Sequence, residues 1–239
     1  MNSGARSAPV TERPDGPVIT LDGPAGSGKS STARAVATRL GFRHLDSGAL
    51  YRALTYALLD SGIAEQDWSK ASERDLRALG VALASTPTGY DVTIGGRVLT
   101  EELRTTEVTS RVASLAGLPA SRACLLALQR EAGTRGRLVA DGRDMGMVVF
   151  PDAEVKIYLV ADLSERARRR LRDMGRVDAT DDEVEAQAVT IADRDRSDSE
   201  RDISPLRRPG DAHLIDTTRL AFGEQVDAIV SLVEQLTTP

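Results

Sequence analysis

One cysteine, one asparagine, three lysines and an aromatic content of 3% are what this 239-residue chain has least of. Cys124 alone cannot close an internal disulfide, which suits a reducing compartment. Its place in the run CLLALQ predicts a buried helical position and not a nucleophile. No apolar run reaches the ~20 residues that span a bilayer, and the first residues lack a signal-peptide core. The expectation is a cytoplasmic protein without a membrane partner. Trp68 and the few other aromatics are assigned to packing and not to base stacking. A net charge of −5 provides no global field to collect a nucleic-acid backbone, so no nucleic-acid partner is expected. The basic residues are almost all arginine, because only Lys29, Lys70 and Lys156 are lysines among 31. Arginine offers planar, two-pronged donors that fit phosphate and carboxylate.

What is present is a globular composition, 41% apolar and 28% charged. Short apolar runs that do not alternate strictly recur along the chain: PVITLD (17–22), GFRHLD (41–46), RLVAD (137–141), VKIYLVA (155–161) and AHLID (212–216). That pattern marks strands covered on both faces. Helical segments follow most of them, including SSTARAVATRL, SERARRRLRDM and the closing FGEQVDAIVSLVEQL. The expected class is α/β, with a parallel sheet carrying helices on both faces and its site beyond the carboxyl ends of the strands. Residues 1–16 read as a loose tail ahead of one domain, 17–239. Between Gly80 and Leu103, strand-like pieces with turns at TPTG and GG predict a small antiparallel insert.

The stretch GPAGSGKS, Gly23 to Ser30, fills the phosphate-loop pattern of glycine, four residues, glycine, lysine and serine. Its glycines let successive amides point at phosphate oxygens, and the helix that follows adds its positive end. Lys29 is expected on the β- and γ-phosphates and Ser30 on Mg²⁺. A GTPase would need a guanine-reading Asn-Lys-x-Asp, but Asn2 is the only asparagine; a transporter-type ATPase would need an LSGGQ-like run, and none occurs. What remains is a small kinase, which needs an acceptor pocket and a cationic cover that excludes water.

The cover is sought in SERARRRLRDM, where Arg166, Arg169 and Arg170 share one helix face. Either a phosphoryl group or the acidic run DATDDEVE (178–185) could balance that charge. In ADRDRSDSERDISPL, Arg194, Asp198 and Arg201 form one stripe if the segment is helical; salt bridges on a solvent face explain it as well as ligand binding does. ADGRDMGMVVFPDA puts Asp141, Arg143 and Asp144 at a strand's carboxyl end, and DSGALYR does the same for Ser47 and Arg52. His44 and His213 have no partner at a telling spacing, so neither is given a catalytic role.

Taken in order, VITLDGPAGSGKSS, LDSGALYRAL, VADGRDMGMVVFPDA, ERARRR, RDRSDSERDISPL and LIDTT resemble the bacterial cytidylate kinase family, over about Pro17 to Thr218. The resemblance implies a five-stranded parallel sheet and transfer of phosphate from ATP, with Mg²⁺, to CMP or dCMP. It implies that Gly23, Pro24, Ala25, Gly26, Ser27, Gly28, Lys29, Ser30 and Ser31 cradle the donor, and that Ser30, backed by Asp141, serves the metal. Ser47 and Asp144 would read the cytosine ring. Arg52, Arg122 and Arg143 would hold the acceptor's phosphate with Arg194 assisting, Asp198 would bind the ribose, and Arg201 would order that end. Lys29, Arg143 and the lid arginines Arg166, Arg169 and Arg170 would carry catalysis. The monophosphate-binding insert would span about 76–113 and the lid about 163–178, in a monomer. Two other readings stay open: a kinase of another nucleoside monophosphate or small metabolite, and a regulatory ATP-binding module.

Overall fold

The computed structural model describes residues 13–237. In chain order the elements are β1 (Val18–Asp22), α1 (Lys29–Leu40), β2 (Arg43–Asp46), α2 (Ser47–Asp60), α3 (Glu73–Ala78), β3 (Val81–Thr86), β4 (Gly89–Ile94) and β5 (Arg97–Val98). There follow α4 (Thr106–Ala116), α5 (Pro119–Gly133), β6 (Leu138–Gly142), β7 (Val155–Val160), α6 (Leu163–Asp173), α7 (Asp181–Glu200), β8 (His213–Asp216) and α8 (Phe222–Thr237). Five strands run parallel in the order β2-β6-β1-β7-β8. Each apolar run in the sequence supplies one of them.

Both faces of the central strands are buried, while the edge strand β8 is largely exposed, and the buried side chains divide between the faces with the period of two that a strand imposes. Val18 of β1 and Leu138 and Ala140 of β6 pack with Leu50 and Leu54 of α2 and Leu125 of α5. Ile19, Leu21 and Val139 face the other way, onto Val36 of α1 and Val226, Ile229 and Val233 of α8. Cys124 and Trp68 are buried in the first layer, as packing residues. A smaller third cluster joins α6 and α7 to Ala25 of the glycine-rich turn through Ala167, Leu171, Val184 and Ile191.

The antiparallel insert is present, but it is not a separate body. β3 pairs with β4 and β4 with β5, and the hairpin extends the main sheet because β4 runs parallel beside β2 at His44 and Gly89. The sheet therefore has eight strands, the five parallel ones expected from the sequence with the three of the antiparallel insert added at one edge. The join needs a glycine: a Cβ on Gly89 would sit 2.4 Å from the His44 carbonyl oxygen.

The expected loose tail, 1–16, falls outside the described residues as far as 12. Arg13 and Asp15, within it, are tied down. Arg13 pairs with Asp152 at 3.0 Å and Glu154 at 2.6 Å, and Asp15 pairs with Arg135 at 2.7 Å. No single helix among the described residues is long and apolar enough to cross a membrane.

Candidate active site

The turn between β1 and α1 is shaped by Gly26 (φ 73°) and Gly28 (φ 84°), left-handed positions that a side chain would strain. Lys29 opens α1 and is buried, with Nζ donating to the Pro24 carbonyl at 3.1 Å. Burial, then the charge of Arg143, pulls its pKa down to about 7 against the opposing pull of Asp141. The Ser27 hydroxyl is buried and has no partner among the described residues. An underpaired lysine and an orphan hydroxyl in a glycine turn are what an absent anion would satisfy.

Ser30 Oγ donates to one carboxylate oxygen of Asp141, at the end of β6. The other oxygen meets Nε2 of the buried His44, from β2, at 2.8 Å. No group of three or more His, Cys, Asp or Glu side chains among the described residues could hold a metal by itself. A lone hydroxyl–carboxylate pair suits a hard, oxygen-seeking cation that takes most of its ligands from phosphate and water.

Asp22 ends β1 with both carboxylate oxygens on backbone amides, Met145 at 2.9 Å and Gly146 at 2.8 Å. Burial pushes its pKa up to about 7, although those two hydrogen bonds oppose the shift. The amides belong to a wide helical turn, Met145–Val149, that starts immediately after Asp144. Gly146 lets the turn close on the sheet, since a Cβ there would come within 2.9 Å of Thr20 Oγ1. Asp22 thereby fixes the base of the segment that presents Asp144.

On the acceptor side, arginines and carboxylates are already paired. Arg122 of α5 pairs with Asp144, lies over the Tyr51 ring at 5.6 Å and donates to the Ala116 carbonyl at 3.2 Å. Arg143 Nε donates to Asp198 of α7 at 2.8 Å, and Arg201 approaches the same carboxylate at 3.6 Å. Burial would raise the Asp198 pKa, but Arg143 and Arg201 outweigh it and hold the group below the ordinary carboxylate value. Arg52 pairs with Asp46 at 3.0 Å. The buried Ser47 hydroxyl accepts from Gln129 Nε2 at 2.8 Å. The stripe formed by Arg194 and Asp198 is helical, and its Asp198 is turned inward, not toward solvent.

Two site arginines stand apart. Arg194 Nε is buried without a partner, and burial followed by the charge of Arg143 lowers its pKa to about 10. The side chain of Arg170, close enough to contribute to that shift, makes no ion pair or hydrogen bond among the described residues.

The three lid arginines do not form one rank over the loop, as their shared face suggested. α6 packs against the turn, so Arg166 donates to the Ala25 carbonyl at 2.9 Å and to the Asp195 carboxylate. Asp195 in turn accepts from the Ala25 amide at 2.8 Å. Arg169 donates to Glu165 at 2.9 Å and to the Thr217 hydroxyl and carbonyl at 2.9 and 2.6 Å. Only Arg170 is left uncommitted. The acidic run does balance part of the charge, through Arg168–Asp181 at 3.1 Å and Arg176–Glu183. A cavity of about 340 Å³ opens beside Thr217, lined by Asp162, Asp216, Thr218, Arg219 and Leu220.

Asp22, Gln129 and Asp195 are site residues that sequence reasoning did not single out, and His44, set aside there for want of a partner, has one in Asp141. Each has its partner on a distant segment, so no local spacing announces it. For Asp22 a signal existed, an acid ending an apolar strand immediately before the loop.

A family model described as cytidylate kinase matches residues 19–235. A cytidylate kinase of Exiguobacterium sp. (strain ATCC BAA-1283 / AT1b) is 40% identical over 218 residues, covering 91% of this chain and 96% of that protein. A bifunctional pantoate ligase/cytidylate kinase of Trichormus variabilis is 42% identical over 224 residues, covering 92% of this chain. The chain spans 41% of the length of that bifunctional relative, and the same share of one from Nostoc sp.. Among solved structures, shikimate kinase from Acinetobacter baumannii in complex with shikimate aligns over 95% of this chain and 97% of its own at 16% identity, with a TM-score of 0.42, too loose an overlap to add to the assignment. With the family model spanning nearly every described residue, and a relative of matching length at this identity, the chain belongs to the cytidylate kinase family.

Proposed function

We propose that the chain transfers the γ-phosphoryl group of ATP to CMP or dCMP, giving ADP and CDP or dCDP. The observation that carries this reading is the opposition of two half-sites. On one side, Lys29, Arg170 and Arg194 are cations with little or no compensating charge bonded to them; on the other, Asp144 and Asp198 are held by arginines. Family membership supports the choice of substrates.

The triphosphate would lie in the glycine turn, with Lys29 on its terminal phosphates and the nucleoside end extending to the cavity beside Thr217. Mg²⁺, held by Ser30 with Asp141 behind it, would supply charge neutralisation along the donor phosphates. The acceptor's phosphate is already anionic at neutral pH, so no general base is needed for its oxygen to attack the γ-phosphorus in line. Catalysis rests on positioning and on cations matched to the developing charge, for which Lys29, Arg143, Arg170 and Arg194 are placed. Arg166 and Arg169 brace the loop and the cavity wall.

The Arg122–Asp144 pair suggests a role for Arg122 other than the phosphate contact implied by resemblance. A carboxylate beside a guanidinium offers an acceptor next to donors, which complements the amino group, ring nitrogen and carbonyl of cytosine. Uracil, with its donor and acceptor exchanged, would meet like groups. Ser47 adds a hydroxyl at that end, Arg52 and Arg143 serve the acceptor phosphate, and Asp198, ordered by Arg201, serves the ribose.

An acceptor panel tests the reading. With ATP and Mg²⁺, ADP release is expected with CMP and dCMP and much less with UMP, AMP or GMP; failure of both CMP and dCMP to release ADP would overturn it.

A further inference from the structure

His44 is unused in the account above, yet its position is unusual. Its side chain is buried and its Nε2 lies 2.8 Å from the carboxylate that receives Ser30 Oγ. Its backbone amide donates to the Thr88 carbonyl at 3.0 Å, and the residue pairs with Gly89 at the one point where the insert joins the parallel sheet. Asp141 is itself only 1% exposed. Without the ring, one oxygen of that carboxylate would be buried with no partner. A buried acceptor in that state turns to find another donor, and that movement would disturb its hold on Ser30.

We propose that His44 is a positioning residue for phosphoryl transfer: by holding one oxygen of Asp141 it leaves the other committed to the Ser30 hydroxyl, which keeps that pair ready for the cation that accompanies the triphosphate. This rests on the kinase reading. A partner one layer behind a metal-serving group typically alters metal affinity by ~10–100-fold when removed. The effect belongs to the Mg²⁺-dependent part of donor binding and not to the acceptor.

The contact runs through Nε2, which gives a discriminating pair of variants. In His44→Gln the amide nitrogen reaches about as far as Nε2, whereas in His44→Asn it stops near the position of Nδ1. Calorimetry measures ATP affinity with Mg²⁺ and with EDTA in the absence of acceptor, and steady-state kinetics give KM for CMP. For His44→Asn we expect the gain in ATP affinity from Mg²⁺ to shrink by ~10-fold, with affinity in EDTA and KM for CMP near wild type. His44→Gln should recover most of the gain. Equal gains in wild type and His44→Asn would overturn the proposal. So would an Asn variant no worse than the Gln variant, or losses in both that fall equally on CMP and ATP, which mark a packing role. Wild-type protein that converts no CMP defeats the kinase reading itself; wild-type conversion with an unaffected Asn variant defeats only the role of His44.

Discussion

Lys29 and Asp22 flank the glycine turn and carry opposite anomalies of one origin. Burial lowers the lysine to about 7 and raises the carboxyl to about 7, because each is kept from water with too little compensating charge. For Lys29 this has a direct consequence. At pH 8 the ligand-free ammonium is largely deprotonated, and a triphosphate beside it restores the charged form, so ATP binding should take up protons. Calorimetry in buffers of differing ionisation enthalpy checks this, and Lys29→Ala should abolish the uptake. The same substitution is expected to lower kcat by ~10²-fold or more in a protein that still folds, the usual loss when a charge-matched donor is removed; a stopped or coupled assay of ADP release measures it. Lys29 was legible in the sequence because the loop that frames it is local, the glycines and Pro24 lying within six residues of it. Asp22, His44 and Asp195 were not, since their partners lie on other elements and one acid or histidine has no periodicity.

At the scale of elements, the lid and the loop are one assembly. Asp195 of α7 takes the amide of Ala25 while Arg166 of α6 takes its carbonyl, and the two side chains hold each other. Cutting Asp195→Ala leaves the amide and the guanidinium without that acceptor, a loss of about 1.5–3 kcal/mol for a charge-assisted bond. We expect KM for ATP to rise by about tenfold or more with little change in KM for CMP, read from steady-state titrations of each substrate. The insert offers a second test. Gly89→Ala forces β4 from β2, because the new Cβ would lie 2.4 Å from the His44 carbonyl. That variant should lower the urea midpoint of unfolding relative to wild type, by loosening the insert from the sheet edge. The insert's antiparallel character showed in its paired turns, but its docking did not: a single parallel bridge between residues far apart in sequence leaves no pattern to read.

For the whole molecule, the parallel core was legible because five apolar runs each fell between helical segments, and burial on both faces demands that composition. The charge network over it appeared only once the strands brought Asp46, Asp141 and Asp144 to one edge. That network has a global signature in acid. Asp22 keeps its proton up to about pH 7 when folded but gives it up near 3.8 when unfolded, so its contribution makes the protein less stable as pH rises between those values. Asp198 acts in the opposite sense, and its stabilisation is lost as pH falls through its folded value below 3.8. Urea unfolding from pH 4.5 to 7 should therefore show a downward trend in wild type that flattens in Asp22→Asn.

Arg13 clips the entering chain to Asp152 and Glu154, and Glu154 also accepts the amide of Val18 at 2.7 Å, at the amino ends of β1 and β7. The described chain is thus moored, at Arg13, at the pole opposite the glycine turn. Strain on that clip would pass first to the rear edge of β1 and β7 and leave the catalytic mouth untouched.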